Sequence, residues 1–530
     1  MNKMNKETML LTDGYKLAHH KMYPQGIELV YSNFTPRSNK FFPEAKDGAV
    51  VFGLQYLIKK YLIDEFNKNF FNRPKGEVLY EYERRMGTFT GDHDVKHIEA
   101  LYDLGYLPIM IKALPEGSLC PIRVPMFTVQ NTHPDFAWLT NYLETLISNV
   151  VWLPSTSATA ARLFKKRLKE HAKKTNFPED IELGFLCHDF SMRGMSSIES
   201  TEVSGMAHLT SFCGSESVPA LWAAEEYYHA NPEEMLVAGT VPATEHSIEC
   251  SNAVFDVDEN GNMIVDETVY FKRLITELYP EGFISIVSDG FDFWGIIEDM
   301  LPKLKKEIMA RNGRVVIRPD SGNPVDIICG LRTNPQYLTR IKEGKYYCNY
   351  NPFVEEDCFV EVSEGQYYGA YYMLGKTFGW NTTANGYRYP STKVGLIYGD
   401  AINLERQSQI YDRLERADMA ACNLVLGVGS FTYQFKSRDS LGFAMKCTAV
   451  KINDKLKPIF KRPKTDDGTK NSLTGLITVD IDPMTGQYKA FDNVPEEIEK
   501  QGYLQTVFKD GKLLKDYTLE EIRENVNKTI

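Results

Sequence analysis

The chain has 530 residues, with 60 basic against 71 acidic side chains and a formal net charge of −11. Its 43% hydrophobic and 25% charged residues are the balance of a soluble globular protein with a large core, which excludes intrinsic disorder and collagen-like structure. An acidic chain offers no field for nucleic acid or an anionic membrane, so an anionic substrate must meet positive charge gathered locally.

The first apolar run, Met9, Leu10 and Leu11, is too short for a signal sequence. No window approaches the roughly 18 apolar residues of a membrane span. Nine scattered cysteines with no C-x-x-C pair point to a reduced, cytoplasmic protein. In chain order, Leu29–Phe34 is extended and Gly53–Ile63 has helical periodicity. Within a polar helical stretch, His93 and His97 at i,i+4 spacing are expected on a solvated face rather than at a metal. Leu107–Leu114 and Met126–Val129 are strand-like. Two helices follow, from about Asp135 to Trp152 and from Ser157 to about Lys174, the second basic and surface-like.

From about residue 183 short apolar runs end in polar or glycine-rich turns and lead into helices. Seven such runs, ending near Cys187, Cys213, Gly239, Val287, Ile317, Tyr398 and Leu426, predict an α/β fold with a parallel sheet closed as an irregular (β/α) barrel. A Tyr-, Asn- and Gly-rich stretch at 331–393 interrupts the rhythm and is expected to be an ordered surface insertion. Beyond Phe443 come a strand at Ala444–Val450, a charged loop from Lys461 to Lys470 and an amphipathic helix from Leu519. The expected organisation is a barrel at 155–442 and a second, β-containing α+β domain built from both termini, 1–154 and 443–530.

In such a barrel the chemistry sits at the carboxyl ends of the strands. The turns there are His188-Asp-Phe-Ser-Met-Arg-Gly194, Gly214-Ser-Glu-Ser217, Pro242-Ala-Thr-Glu-His246, Ser288-Asp-Gly-Phe-Asp292, Arg318-Pro-Asp-Ser-Gly-Asn-Pro324, Gly399-Asp400 and Gly427-Val-Gly-Ser430. Taken singly each has a plain structural reading: Gly427–Ser430 as a tight turn, Asp289 and Asp292 as helix caps, Arg193 and Arg318 as ion pairs, His246 as a core histidine. Together they supply what a phosphorylated sugar needs, namely backbone N–H groups and arginines for phosphate and carboxylates for ribose hydroxyls or a metal ion. No P-loop, G-x-G-x-x-G, G-x-S-x-G or H-E-x-x-H motif is present.

The series Thr12-Asp-Gly-Tyr-Lys16, Phe52-Gly-Leu-Gln-Tyr56, Trp138-Leu-Thr-Asn-Tyr-Leu-Glu-Thr145, His188-Asp-Phe190 with Arg193-Gly194, Val241-Pro-Ala-Thr-Glu-His-Ser247, Ile317-Arg-Pro-Asp-Ser-Gly-Asn-Pro324 and Gly399-Asp400 resembles the nicotinamide phosphoribosyltransferases. These are type II phosphoribosyltransferases, related to nicotinate phosphoribosyltransferase. The resemblance runs from residue 10 to Thr506–Lys512 and lapses chiefly over 331–393. It implies transfer of phosphoribosyl from 5-phosphoribosyl 1-pyrophosphate to nicotinamide, with Mg²⁺, ATP as a coupling co-substrate and a homodimer whose active sites lie at the interface.

By the same resemblance, Phe190 and Tyr15 of a second subunit stack on the two faces of the base, with Asp13 beside them. Arg318 donates to the carboxamide oxygen and Arg193 lies between base and phosphate. Asp289, Asp320 and Asp400, with Gly399, surround ribose, metal and nucleotide phosphate, and Ser285 lines the pocket. Gly429, Ser430, Arg438 and Lys446 hold phosphate, and Lys461 and Lys470 meet pyrophosphate or ATP. His246 is the histidine phosphorylated by ATP, a role suited to imidazole, and its neighbour Glu245 could orient the ring.

Three positions depart from the family pattern. Glu216 stands where the amide acceptor is usually Asp; the carboxylate that repels nicotinate is kept, one methylene further out. The glycine run reads Gly427-Val-Gly-Ser430, and Ala444 replaces a usual Ser. A nicotinate phosphoribosyltransferase is the nearest alternative, and a sugar-phosphate lyase or isomerase and a non-catalytic scaffold are the others.

Overall fold

The computed structural model describes residues 7–351, 358–399, 401–465, 468 and 470–530. A seven-stranded sheet runs Lys455–Pro458, Ala444–Ile452, Ile27–Thr35, Phe127–Asn131, Ile109–Ala113, Gln505–Lys509 and Lys512–Leu513, every pair antiparallel. Strands from both ends of the chain interleave, so the second domain draws on both termini. Phe34 stacks on Phe127 and Phe443, with centroids 4.8 and 5.2 Å apart, which ties three distant segments into one core. Lys112 adds a buried ion pair to Glu499, Nζ to Oε2 2.6 Å, with Tyr31 Oη donating to the same carboxylate at 3.4 Å. Lys112→Ala would strand that carboxylate and should cost about 3–5 kcal/mol, measured as a lower urea midpoint; an unchanged midpoint would show the pair to be dispensable.

The barrel sheet has six parallel strands in the order Glu281–Val287, Asn312–Arg318, Val394–Tyr398, Leu424–Val428, Cys187–Asp189 and Gly214–Ser215. Ile284, Ile286, Val315, Ile317, Leu396 and Leu426 are buried, as strands covered on both faces require. The seventh expected run, ending at Gly239, forms no regular strand. It carries the ring across the gap by single bridges, Gly239 to Gly214 and Ala243 to Ser285. Pro242, between the two bridges, has no N–H to give to a ladder, which keeps the segment from continuing as a strand. All strands run one way, so their carboxyl ends share one mouth.

Three expectations are corrected. The basic segment from Ser157 is not a separate surface helix: one helix of 32 residues spans Glu144–Thr175 with Pro154 inside it, and it passes through the expected boundary at 154/155. Small residues from Ser155 to Ala161 are buried and let it approach the strand at Val50, where Ser155 Oγ donates to the carbonyl at 2.6 Å and the Val50 N–H donates to Thr159 Oγ1 at 2.9 Å. His97 is not solvated. Its ring stacks on His20 at 3.6 Å and lies at the edge of Trp138, and burial pushes it down to about 3.

The 331–393 stretch is only partly a surface excursion. Leu338–Lys342, Lys345–Asn349 and Val360–Val362 form a small antiparallel sheet. The helix Ala370–Phe378, however, is buried through Ala370, Tyr371 and Leu374, and it lies in the crossover that parallel strands require. The C-terminal helix Leu519–Asn527 is fixed by a capping box between Thr518 and Glu521. Its Arg523 donates to the carbonyls of Leu209, Leu236 and Val237 at 2.6–2.8 Å. All nine cysteines are free thiols, and among the described residues no helix is long and apolar enough to cross a membrane.

Candidate active site

Three strand-end turns bring His246, Asp289 and Asp320 together. His246 opens the helix His246–Asn252, and its Nε2 lies 3.2 Å from Asp289 Oδ1 and 3.8 Å from Asp320 Oδ1. The other Asp289 oxygen, Oδ2, accepts from the backbone N–H groups of Asp320 and Ser321 at 2.9 and 2.8 Å and from Ser321 Oγ at 2.6 Å. Asp289 is therefore no helix cap. Asp292 takes that part, accepting from the Gly295 N–H at 3.0 Å. Burial pushes Asp289 up, but the hydrogen bonds from Ser321, Asp320 and His246 outweigh it and hold the carboxyl below its ordinary value. Asp320 moves the other way, raised by burial and by the negative Asp289 beside it.

Glu245, expected to orient the imidazole, is exposed and accepts a hydrogen bond from Ser247 Oγ instead. The ring partner is Asp289. Sequence distance hides this contact, because Asp289 is 43 residues further along the chain.

At the adjoining strand ends Phe190 stacks on His188, centroids 4.8 Å apart, and its N–H donates to Val428 O at 2.8 Å. A Cβ at Gly427 would lie 2.6 Å from the Phe190 ring, so the ring can occupy this place only over a glycine. Glu216 Oε1 is 3.4 Å from His188 Nε2 and accepts from Thr240 Oγ1. Burial pushes Glu216 up, but His188, Thr240 and the charge of Arg318 hold it below its ordinary value. Arg318, lowered by burial, feels the charges of Asp320, Glu216, Asp289 and Arg193, which puts five expected residues within one electrostatic neighbourhood. Ser285 Oγ is buried without a hydrogen-bond partner among the described residues.

A second cluster is cationic. Lys446 is pushed down chiefly by burial; Glu144 opposes that shift, while Arg37, Lys461 and Arg438 add to it. Like charges held this close favour a bound anion. The Arg193-Gly194 turn abuts Ser430, whose Oγ is 2.1 Å from where a Cβ on Gly194 would stand. Gly429 opens on free space, and Gly399 lies beside Asp320. Lys461 and Lys470 are exposed, and Asp400 lies outside the described residues. Asp13 accepts from Thr145 Oγ1 at 2.7 Å. Tyr15 is 65% exposed, its ring edge-on to His19 with Lys16 Nζ 5.5 Å from its centroid. The sequence alone assigns no role to His188, Thr240, Ser321 or Arg37: His188 and Ser321 lie inside strand-end turns and Thr240 borders one, whereas Arg37 carries no local signal.

A parallel barrel with acidic, basic and aromatic groups at one mouth, and a cation cluster around Lys446 of the antiparallel sheet, has the parts of a phosphoribosyltransferase site. Family comparison agrees: residues 185–512 match the nicotinate phosphoribosyltransferase (NAPRTase) family and residues 7–111 the N-terminal domain of nicotinamide phosphoribosyltransferase. The chain belongs to this family and is a pentosyltransferase of its nicotinamide phosphoribosyltransferase branch. It is 43% identical to the nicotinamide phosphoribosyltransferase of Acinetobacter baylyi, covering 97% of this chain and 96% of the relative. It is 30% identical to that of Xanthomonas campestris pv. campestris, covering 98% of each. The fold is similar to nicotinate-nucleotide pyrophosphorylase from Pyrococcus furiosus (TM-score 0.55, 16% identity, 100% and 97% of the two chains) and to human nicotinic acid phosphoribosyltransferase (TM-score 0.51, 15% identity, 98% and 93%).

Proposed function

We propose that the protein transfers phosphoribosyl from 5-phosphoribosyl 1-pyrophosphate to nicotinamide, forming nicotinamide mononucleotide and pyrophosphate in NAD salvage, and that ATP hydrolysis is coupled to this through phosphorylation of His246. The observation that carries the reading is that Glu216 meets His188, on which Phe190 stacks, while the charge of Arg318 acts on Glu216. An aromatic face holds the pyridine ring, a guanidinium donates to a carboxamide oxygen, and a carboxylate accepts from its NH₂ while repelling a nicotinate carboxylate.

Displacement of pyrophosphate builds positive charge on ribose C1 as the base nitrogen attacks in line, and the leaving phosphates carry the negative charge away. Arg193, Ser430, Arg438, Lys446 and Lys461 supply the cations and donors for that end, with Lys470 further along the same loop. Mg²⁺ prefers oxygen ligands. Asp320 suits it, since both oxygens of Asp289 are already engaged; bound there, the ion would neutralise pyrophosphate charge. His246, held by Asp289, presents its imidazole as the nucleophile toward the γ-phosphate of ATP. The exposed Asp13 and Tyr15 fit a homodimer in which Tyr15 closes the second face of the base in the neighbouring subunit. A cytoplasmic location suits these substrates.

Steady-state kcat/KM with the two bases tests the substrate assignment. Nicotinamide should be preferred, and a preference for nicotinate would assign the chain to the acid-specific reaction. Pyrophosphate release dependent on the base is the expected turnover signal, and its absence would leave only a binding or scaffold role.

A further inference from the structure

Behind His246 lies a pair of carboxyl groups that the reaction scheme does not use. Glu249 stands three residues after His246 on the same short helix and is fully buried, and Glu267, just before the helix Thr268–Arg273, is 5% exposed. Neither oxygen of Glu249, nor Oε1 of Glu267, has a conventional hydrogen-bond partner among the described residues. The Glu249 carboxyl instead lies flat on Gly290: a Cβ there would meet Oε2 at 2.2 Å and Oε1 at 3.2 Å. Gly290 follows Asp289, the residue that holds the His246 ring. The Glu249 side chain is thus wedged between the helix that presents the imidazole and the turn that orients it.

The groups facing this wedge give it little compensation. From its own helix comes His246; from the segment before and within the next helix come Glu267, Asp266 and Tyr270; from the turn come the Gly290 N–H and, acting on Glu267, Asp292. Tyr270 Oη is itself buried without a hydrogen-bond partner among the described residues. Among the described residues the main groups acting on the two carboxyls include no lysine or arginine, and the cation in the cluster, Arg318, acts on Tyr270. Two carboxylates buried together in that way cannot both stay ionised, and such a pair titrates as a unit.

We propose that Glu249 and Glu267 share one proton, and that this protonated pair is the positioning element that keeps His246 against Asp289. The proposal rests on the reading of His246 as the group that meets ATP. Burial, with Glu267 adding to it, pushes Glu249 up to about 8. The native pair therefore binds its proton more tightly than the unfolded chain does. Its stabilising effect is complete below the ordinary glutamate range and is lost as pH rises through about 8. Above that pH the two charges repel, the wedge opens, and the imidazole leaves its aspartate.

Glu249→Gln keeps shape and hydrogen-bonding capacity while fixing the neutral form. In the full-length enzyme, phosphorylation by [γ-³²P]ATP should fall about eightfold between pH 7.5 and about pH 9 in the wild type and stay within about twofold in Glu249→Gln. That factor is one pH unit of titration beyond the midpoint. A purely structural role would change the level of labelling but leave the shape of the profile alone, so parallel profiles overturn the proposal. Infrared difference spectra across the same pH range read the proton directly: a carboxylic-acid C=O band should disappear in the wild type and be missing throughout in Glu249→Gln. A band unaffected by the substitution also overturns it. Loss of the His246 reading is distinguishable, because labelling would then survive in His246→Ala whatever the infrared band does.

Discussion

His246→Ala should abolish transfer of ³²P from [γ-³²P]ATP to the protein, and with it any stimulation of nicotinamide mononucleotide synthesis by ATP. The expected effect is large because the imidazole nitrogen would itself form the bond to phosphorus, and among the described residues the side chains paired with it are two carboxylates. Asp289 and Asp320 lie 3.2 and 3.8 Å away, and their carboxylates repel a γ-phosphate. Synthesis without ATP should continue at a reduced rate, since the base and pyrophosphate ends of the site do not depend on the imidazole. Label retained in His246→Ala would place the phosphorylated residue elsewhere and remove His246 from the coupling step. Phosphorylation would also bring negative charge beside Asp289 and Asp320, a position where a divalent cation is electrostatically welcome.

Glu216→Gln should shift base selectivity toward nicotinate by about 10- to 30-fold in the ratio of kcat/KM values, equivalent to about 1.4–2 kcal/mol. The carboxylate is held ionised by His188, Thr240 and Arg318 against the pull of burial, so a nicotinate carboxylate meets like charge there. Such juxtapositions cost several kcal/mol when fully desolvated. The Glu216 side chain keeps 38% exposure, which reduces the figure. Glutamine still offers an oxygen to the carboxamide NH₂, but a neutral acceptor makes the weaker bond by about 1 kcal/mol, so nicotinamide itself should lose about fivefold. Separate kcat/KM values resolve the two effects. An unchanged ratio would show that discrimination lies outside Glu216, with Arg318 and the shape of the Phe190 pocket as the remaining determinants.

Much of the architecture was legible because it depends on local pattern. Apolar runs ending near Val287, Ile317, Tyr398 and Leu426 are strands in the structure, since a strand buried on both faces must be apolar throughout. The run ending at Gly239 has the same signature but is only bridged chain, paired singly at Gly239 and Ala243 with Pro242, which has no N–H, between them. The helix through Ser157 departs from its local pattern for a related reason. Its lysines and arginines suggest a surface, whereas the small residues Ser155, Ala158, Thr159 and Ala161 are what allow close packing, and their value appears only once the Val50 strand lies against them. The 331–393 segment was read by composition, which could not distinguish the exposed strands from the buried crossover helix Ala370–Phe378.

By itself the sequence determined an acidic α/β chain with its chemistry at strand ends, and the residue types that chemistry needs. Those are properties of periodicity and composition, and they survive without coordinates. Only the tertiary structure decided which groups meet: Asp289 rather than Glu245 on His246, His188 and Thr240 on Glu216, Arg37 beside Lys446, and the Glu249 carboxyl on Gly290. Closing the barrel sets residues tens of positions apart within 3–4 Å of one another, and at that range burial and neighbouring charge, neither of which is encoded locally, fix the protonation and orientation of each group.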